Sequence, residues 1–290
     1  MEYEGRICRG PMERASYMLP VSVGCSYNAC RFCELFKHLK YRDLPLEQIE
    51  QELQRVKDAG GAPATVYLGD GNAFGTDFDR LVTILRLVHR YFPDVQRINM
   101  DATVTNISEK TDEQLRALRA LNVDRLYLGI ETGLDDVLVY MNKDHKTMAS
   151  AEEQIMRLKA AGMTWAAHIM TGVAGHGRGI ENAEALAAFL NRTQPAAIVN
   201  FSMFLHRRSS IYTDIQNGVF TPADEVENMR EQRRLLELLE LDSCDFDGMH
   251  DMLEVRVRGH LPRDREKMLK RNDEAIAQYE HEEPVIALVR

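Results

Sequence analysis

Hydrophobic and polar positions along this chain alternate between two periods. Short runs of β-branched and apolar residues occur at Leu19–Val23, Thr65–Leu68, Arg97–Met100, Arg125–Ile130, Trp165–Thr171 and Ala197–Phe204. Their length and composition are those of strands. Between them, apolar residues recur at helical spacing: Leu46, Ile49, Leu53 and Val56, then Phe78, Leu81, Leu85 and Val88, then Leu115, Leu118 and Leu121. Thr111 with Gln114, and Ser150 with Glu153, fit capping boxes, in which two side chains satisfy orphan N–H groups reciprocally. Thr221-Pro222 fits an N-cap followed by a first-turn proline. Gly60-Gly61 and Gly162 stand where a helix would end on a left-handed residue. Such alternation predicts a parallel sheet, because parallel strands need a crossover of about a dozen residues, usually a helix.

Six βα units of this kind fill about residues 17–240. An arm of residues 1–16 precedes them. Residues 241–290 follow as a mostly helical extension, with a loop carrying Cys244, His250 and Gly259 and a polar helix near Arg263–Tyr279. That tail is too short for a core of its own and is expected to pack on the main domain. The expected fold class is therefore α/β, a parallel (βα)6 sheet that is either open and doubly wound or a partial TIM barrel. In both architectures ligands bind at the carboxyl ends of the strands, so the informative residues should follow each strand.

Composition narrows the chemistry. The 290 residues are 44% hydrophobic and carry a net charge of −9, which argues against a generic binder of nucleic acid or anionic membrane. No apolar run approaches the ~18 residues of a membrane span, and the first residues lack the basic and apolar regions of a signal peptide. The expected location is cytoplasmic and reducing, where clustered cysteines are metal ligands or redox groups before they are disulfides. Three of the five cysteines, Cys25, Cys30 and Cys33, fall in a C-x4-C-x2-C loop directly after the first apolar run. Three thiolates holding a [4Fe–4S] cluster leave one iron open to an exogenous ligand. His38 continues the spacing as C-x4-C-x2-C-x4-H, so a Cys3His zinc site in a non-catalytic protein is an alternative, as are merely redox-reactive cysteines. Cys8 and Cys244 read as isolated buried thiols.

This loop, with aromatic Phe32 just before its last cysteine, resembles the cluster loop of radical S-adenosylmethionine (radical SAM) enzymes, although one residue longer than the usual C-x3-C-x2-C. Its place after the first strand of a six-fold βα series is where a radical SAM partial barrel carries it. The resemblance covers about residues 17–240 and is closest to the branch that includes anaerobic coproporphyrinogen dehydrogenase and the methylthiotransferases. It implies a [4Fe–4S] cluster on Cys25, Cys30 and Cys33, with S-adenosylmethionine (SAM) at the open iron. Gly69-Asp70-Gly71-Asn72 looks like the glycine-rich motif whose backbone receives the SAM ammonium group. Asp101 ends the third strand as an acceptor for a ribose or ammonium. In Leu128–Gly133 the polar position is Glu131, a SAM contact in the family. Lys143, twelve residues on, stands where a basic residue pairs with the SAM carboxylate. His168 and Met170 match positions lining the adenine and ribose pocket, although an acidic residue is common at the former.

The reaction so implied is reductive cleavage of SAM to a 5′-deoxyadenosyl radical that takes hydrogen from an organic substrate, with a methyl- or sulfur-transferring enzyme as the alternative. Two remaining cysteines are too few for a second four-thiolate cluster. An electron donor of the flavodoxin or ferredoxin kind is expected. After the sixth strand, His206-Arg207-Arg208 would suit a small substrate carrying carboxylates or phosphate, and His250 and Arg256 are candidates to close the pocket.

Overall fold

The computed structural model of the protein describes Glu4 and residues 9–289; Cys8 lies outside the described residues. The first strand, β1 (Tyr17–Pro20), ends at a proline, which has no N–H to extend a ladder. Five βα repeats carry the chain onward: α1 (Leu46–Asp58), β2 (Thr65–Gly69), α2 (Phe78–Tyr91), β3 (Arg97–Ala102), α3 (Asp112–Ala120), β4 (Val123–Glu131), α4 (Asp135–Tyr140), α5 (Met148–Ala160), β5 (Thr164–Thr171), α6 (Gly179–Thr193) and β6 (Ala197–Ser202). Then come α7 (Ser210–Gln216), α8 (Glu225–Leu238), β7 (Cys244–His250), β8 (Val255–Leu261) and α9 (Arg265–Tyr279).

The chain divides into two compact units. The first contains the residues up to Asn28, Leu35–Leu128 and Glu153–Trp165. Here β1 to β4 pair in sequence order and in parallel, with Tyr17 opposite Val66, Thr65 opposite Arg97 and Ala102 opposite Leu128. Val66, Tyr67 and Leu68 are wholly buried, which is why β2 reads as an unbroken apolar run. Ile49 and Leu53 of α1, Leu81, Leu85 and Val88 of α2, and Leu115 and Leu118 of α3 form the covering layer. The N-terminal arm is fastened by a buried carboxylate, Glu13, which accepts from Asn99 Nδ2 at 2.8 Å and from the Tyr127 hydroxyl at 2.6 Å.

The second unit contains Ala29–Glu34, Gly129–Glu152 and the residues from Ala166 on. β5, β6 and β7 are parallel, with Ala197 opposite both Ala166 and Asp245, and β8 closes the sheet antiparallel to β7. The C-terminal segment is thus not only helical: residues 244–261 add two strands. Asp245, Asp247 and Gly248 argue against a strand by propensity, and tertiary contacts override them. Arg256 Nε donates to Asp247 Oδ1 across the hairpin at 2.6 Å. Gly248 lets α8 approach, since a Cβ there would stand 2.0 Å from Gln232 Oε1. Gln232 also joins β6 to α9, accepting from Asn200 Nδ2 at 2.8 Å and donating to Asn272 Oδ1 at 2.7 Å.

The capping box at Thr111 and Gln114 is present. The other two starts are capped elsewhere. Thr147 and Ser150 bond each other's N–H groups at 3.1 and 2.9 Å, so α5 begins at Met148. The Glu227 N–H donates to Asp224 Oδ1 at 2.8 Å, which leaves Thr221-Pro222 in the preceding loop. Asp is the stronger cap and lies next to the first helical residue.

Candidate functional site

In the first unit the loop after β2 lies against the start of the cysteine loop. Gly71 has φ +48°, and a Cβ on it would stand 2.4 Å from the Gly24 carbonyl oxygen and 3.1 Å from Cys25 Cα. Only glycine permits that approach. Asp70 Oδ1 accepts the Gly71 N–H at 2.9 Å, and its carbonyl accepts from Ser22 Oγ at 3.3 Å. Asn72 Nδ2 donates to Ser26 Oγ at 2.8 Å and to Asn106 Oδ1 at 2.6 Å. Asn72 is buried, yet its Oδ1 has no donor among the described residues. A buried carbonyl oxygen in that state can accept an N–H from a bound group. At the end of β3, Asp101 is half-buried. Burial, and then Asp101, push the Tyr67 phenol well above its ordinary range.

In the second unit Cys30 is buried and Cys33 half-buried, and Arg31 between them is held through both its backbone and its guanidinium. Its N–H donates to the Met141 carbonyl at 3.0 Å, and its carbonyl accepts from the Ile211 N–H at 3.4 Å. The guanidinium donates to the Tyr140 carbonyl at 3.2 Å, lies over the Tyr140 ring at 4.7 Å, and pairs with Asp214. The Tyr140 hydroxyl meets the same carboxylate oxygen at 2.5 Å. Phe32 and Met170 pack against an apolar cluster of Val137, Met141, Met203, Ile211 and Phe220.

Glu131 ends β4 with φ +68°, and the Thr132 N–H donates to the Ile130 carbonyl at 2.9 Å. That is a tight γ-turn in a backbone region that non-glycine residues seldom enter. Glu131 Oε1 pairs with Lys143 Nζ at 2.8 Å, with only 10% and 12% of the two side chains exposed. Gly129 makes room for them, since a Cβ there would fall 2.4 Å from Glu131 Oε1 and 2.5 Å from Lys143 Nζ. Burial pulls the Lys143 ammonium down, but Glu131, and after it Cys30, outweigh this and hold it above the ordinary lysine range. Lys146 donates to the Gly129 carbonyl at 2.5 Å. Burial and then Lys143 pull its ammonium down to about 7. His168 is held down to about 4, chiefly by burial, so its ring is neutral at pH 7.

The structure therefore joins Glu131 to Lys143 directly and couples His168 to both electrostatically. The sequence did not reveal Arg31, Asp214, Gly129 or Lys146 as site residues. For Lys146 one local signal existed. Asn142, Asp144 and His145 all take positive φ, between +49° and +54°, and Asn, Asp and His are the side chains that tolerate such a turn. Two expectations fall away. His250 does not close a pocket, because it is wholly buried against Ser202 and Glu225, and Arg256 is engaged by Asp247. His206 is half-buried in a short ladder with Val289, while Arg207 and Arg208 are exposed.

The donor set fits an iron–sulfur cluster. Three thiolates are the ligand type of a [4Fe–4S] cluster and leave one of its irons open. The glycine contact at Cys25 and the open acceptor on Asn72 are features a bound cofactor would use. No helix of the described residues is long and apolar enough to cross a membrane.

Comparison with known proteins agrees. The model of the radical SAM superfamily matches residues 19–190, more than half of the chain. The heme chaperone HemW of Bacillus subtilis (strain 168) is 25% identical over 122 residues, 40% of this chain and 32% of its own length. Among solved structures, methylornithine synthase (PylB) superposes with a TM-score of 0.55 at 17% identity, covering 78% of this chain and 63% of that one. The archaeal Elp3 of Methanocaldococcus infernus gives 0.54 at 11% identity, with 78% and 55% covered. The chain thus spans less than two thirds of each of these proteins, and the structural likenesses show the partial-barrel fold. Three cysteines after the first strand, this fold and the family match together place the chain in the radical SAM superfamily, whose cofactors are a [4Fe–4S] cluster and SAM.

Proposed function

We propose that the protein is a radical SAM enzyme in which Cys25, Cys30 and Cys33 bind three irons of a [4Fe–4S] cluster and SAM takes the fourth. When bound, the cluster supplies the electron that cleaves the SAM sulfonium to methionine and a 5′-deoxyadenosyl radical, which removes hydrogen from the substrate. The observation that carries this reading is the buried Glu131–Lys143 pair, set at a strand end in a left-handed turn and in electrostatic reach of Cys30. A strained, buried ion pair at a strand's carboxyl end is the mark of a binding site rather than of stability.

In the first unit, Gly69 to Asn72 offer backbone and side-chain acceptors to the SAM ammonium, and Asp101 at the end of β3 is the proposed ribose contact. In the second, Lys143 remains cationic and receives the SAM carboxylate, while Glu131 holds the lysine in place and accepts from the amino acid end. His168, neutral at pH 7, hydrogen-bonds the ribose without adding charge. Phe32 and Met170 give the adenine an apolar surface, backed by Met141 and Met203, that excludes water. His206, Arg207 and Arg208 recommend a small substrate bearing carboxylates or phosphate. A flavodoxin- or ferredoxin-type donor would supply the electron.

Anaerobic reconstitution with iron and sulfide, followed by dithionite and SAM, tests the proposal. Expected are about four irons per chain and formation of 5′-deoxyadenosine, both lost when Cys25, Cys30 and Cys33 are replaced together by alanine. A colourless protein holding one zinc, or a full cluster that never cleaves SAM, would overturn it.

A further inference from the structure

Behind the Glu131–Lys143 pair runs a buried hydrogen-bond chain with no part in the chemistry above. The Thr132 hydroxyl donates to Asn182 Oδ1 at 2.6 Å, and the same oxygen accepts the Gly133 N–H at 3.0 Å. Asn182 Nδ2 donates to Glu231 Oε1 at 2.6 Å, and Glu231 Oε2 accepts the Gly172 N–H at 2.8 Å. Thr132, Asn182 and Glu231 are at most 3% exposed. The amide cannot be turned round. The Gly133 N–H is a donor and must face the Asn182 oxygen, so the amide NH2 must face Glu231. Glu231 therefore meets an N–H donor on each oxygen; both oxygens of a carboxyl group, protonated or not, can accept, whereas the NH2 of a carboxamide cannot.

The two ends of this chain lie where SAM contacts are proposed. Thr132 and Gly133 directly follow Glu131, whose positive φ persists only if the surroundings over-determine it. Gly172, with φ +79°, directly follows β5, which carries His168 and Met170. One buried carboxyl in the middle of α8 thus ties together the ends of β4 and β5. We propose that Glu231 is a positioning residue for SAM, holding through Asn182 the turn that presents Glu131 to Lys143 and through Gly172 the strand end that presents His168 and Met170. The inference rests on the reading that those four residues contact SAM.

The test measures SAM affinity by equilibrium dialysis on cluster-reconstituted protein, with iron content and melting temperature recorded for each variant. Glu231→Gln turns an NH2 against one of two N–H donors, and Asn182→Asp turns an oxygen against Glu231. Each should weaken SAM binding roughly ten- to hundredfold, as loss of outer-shell partners does elsewhere, with iron content unchanged. The double variant Glu231→Gln/Asn182→Asp restores every donor–acceptor pairing with reversed polarity. The carboxamide introduced on α8 would donate to the carboxylate introduced on α6 and accept from the Gly172 N–H, and that carboxylate would still accept from Thr132 and Gly133. Affinity should return most of the way to the native value. Single variants that bind SAM normally, or a double variant no better than the weaker single, would overturn the inference. Should the Glu231 and Asn182 variants not fold, Thr132→Val and Thr132→Ser decide. Loss of the hydroxyl should weaken SAM roughly fivefold and serine should not, and equal affinities would overturn it. Native protein that holds a cluster and binds no SAM would instead defeat the proposed function, and this inference with it.

Discussion

Replacing Gly71 by alanine should strip the cysteine loop of iron while leaving the protein folded. The residue has φ +48°, so an alanine first incurs the cost of a left-handed backbone, about 1–2 kcal/mol. The larger effect is steric. The new Cβ would stand 2.4 Å from the Gly24 oxygen, where ordinary contact begins at 3.4 Å, so the partner must retreat by 3.4 − 2.4 = 1.0 Å. That partner is backbone, and Cys25 Cα, 3.1 Å away, must move with it. Metal–ligand distances tolerate only about 0.2 Å, so a shift approaching an ångström at one of three thiolates removes it as a ligand. Gly60→Ala supplies the control. Gly60 has φ +78° but nothing within 4 Å of its would-be Cβ, so it carries the backbone cost without the clash. Both variants should lose a few degrees of melting temperature, at roughly 2–4 °C per kcal/mol. After anaerobic reconstitution, Gly71→Ala should hold less than half of the native iron and Gly60→Ala all of it. Equal, full iron in both would refute the claim that Gly71 is glycine for the sake of Cys25.

Lys143→Met should keep the cluster and lose SAM affinity by more than tenfold, the order expected when a charged partner of a carboxylate is removed. Asp214→Ala removes the carboxylate that both Arg31 and Tyr140 address. It should cost about 1.5–3 kcal/mol and speed iron loss to a chelator, and an unchanged chelation rate would refute the view that this pair restrains the loop. Glu231 sets a pH dependence. Its carboxyl is raised to about 8 by burial, against about 4.3 in the unfolded chain. Between those values the native state keeps a proton that the unfolded state sheds. Its contribution is complete below about pH 4 and is lost as pH rises through 8, at up to about 1.4 kcal/mol per pH unit. Glu231→Gln should flatten that slope in denaturant melts at pH 5, 6.5 and 8, and parallel profiles would count against it.

What could be read in advance follows the range of the interactions involved. The strands and helices were legible because their apolar periods are local, and the Thr111–Gln114 cap because its partners are three residues apart. Cys244–His250 was misread because two aspartates and a glycine argue for a loop, while the partners that make them strand residues, Arg256 and Gln232, lie outside the run. Gly71 was visible as part of a glycine-rich turn, but its reason, the Gly24 backbone, is 47 residues earlier. Arg31 and Asp214 are 183 positions apart, and neither residue type nor spacing connects them.

The pairing of Glu131 with Lys143 shows a different limit. Their positions were singled out by resemblance to a family and not by any period, and the structure adds why this geometry holds. An ion pair this deeply buried is weak support for stability, since two desolvated charges regain little more than they lose. A glutamate at φ +68° adds a further cost of about 1–3 kcal/mol. Both features persist because Gly129 leaves space for the two side chains and because the Thr132–Asn182–Glu231 chain fixes the turn from behind. The supporting residues come from β4, α6 and α8, the last two about fifty and one hundred positions after the turn they hold. Local pattern can locate the strand end where a ligand would bind. The strained conformation of that end is set by contacts across the fold, and these are the ones a single sequence does not display.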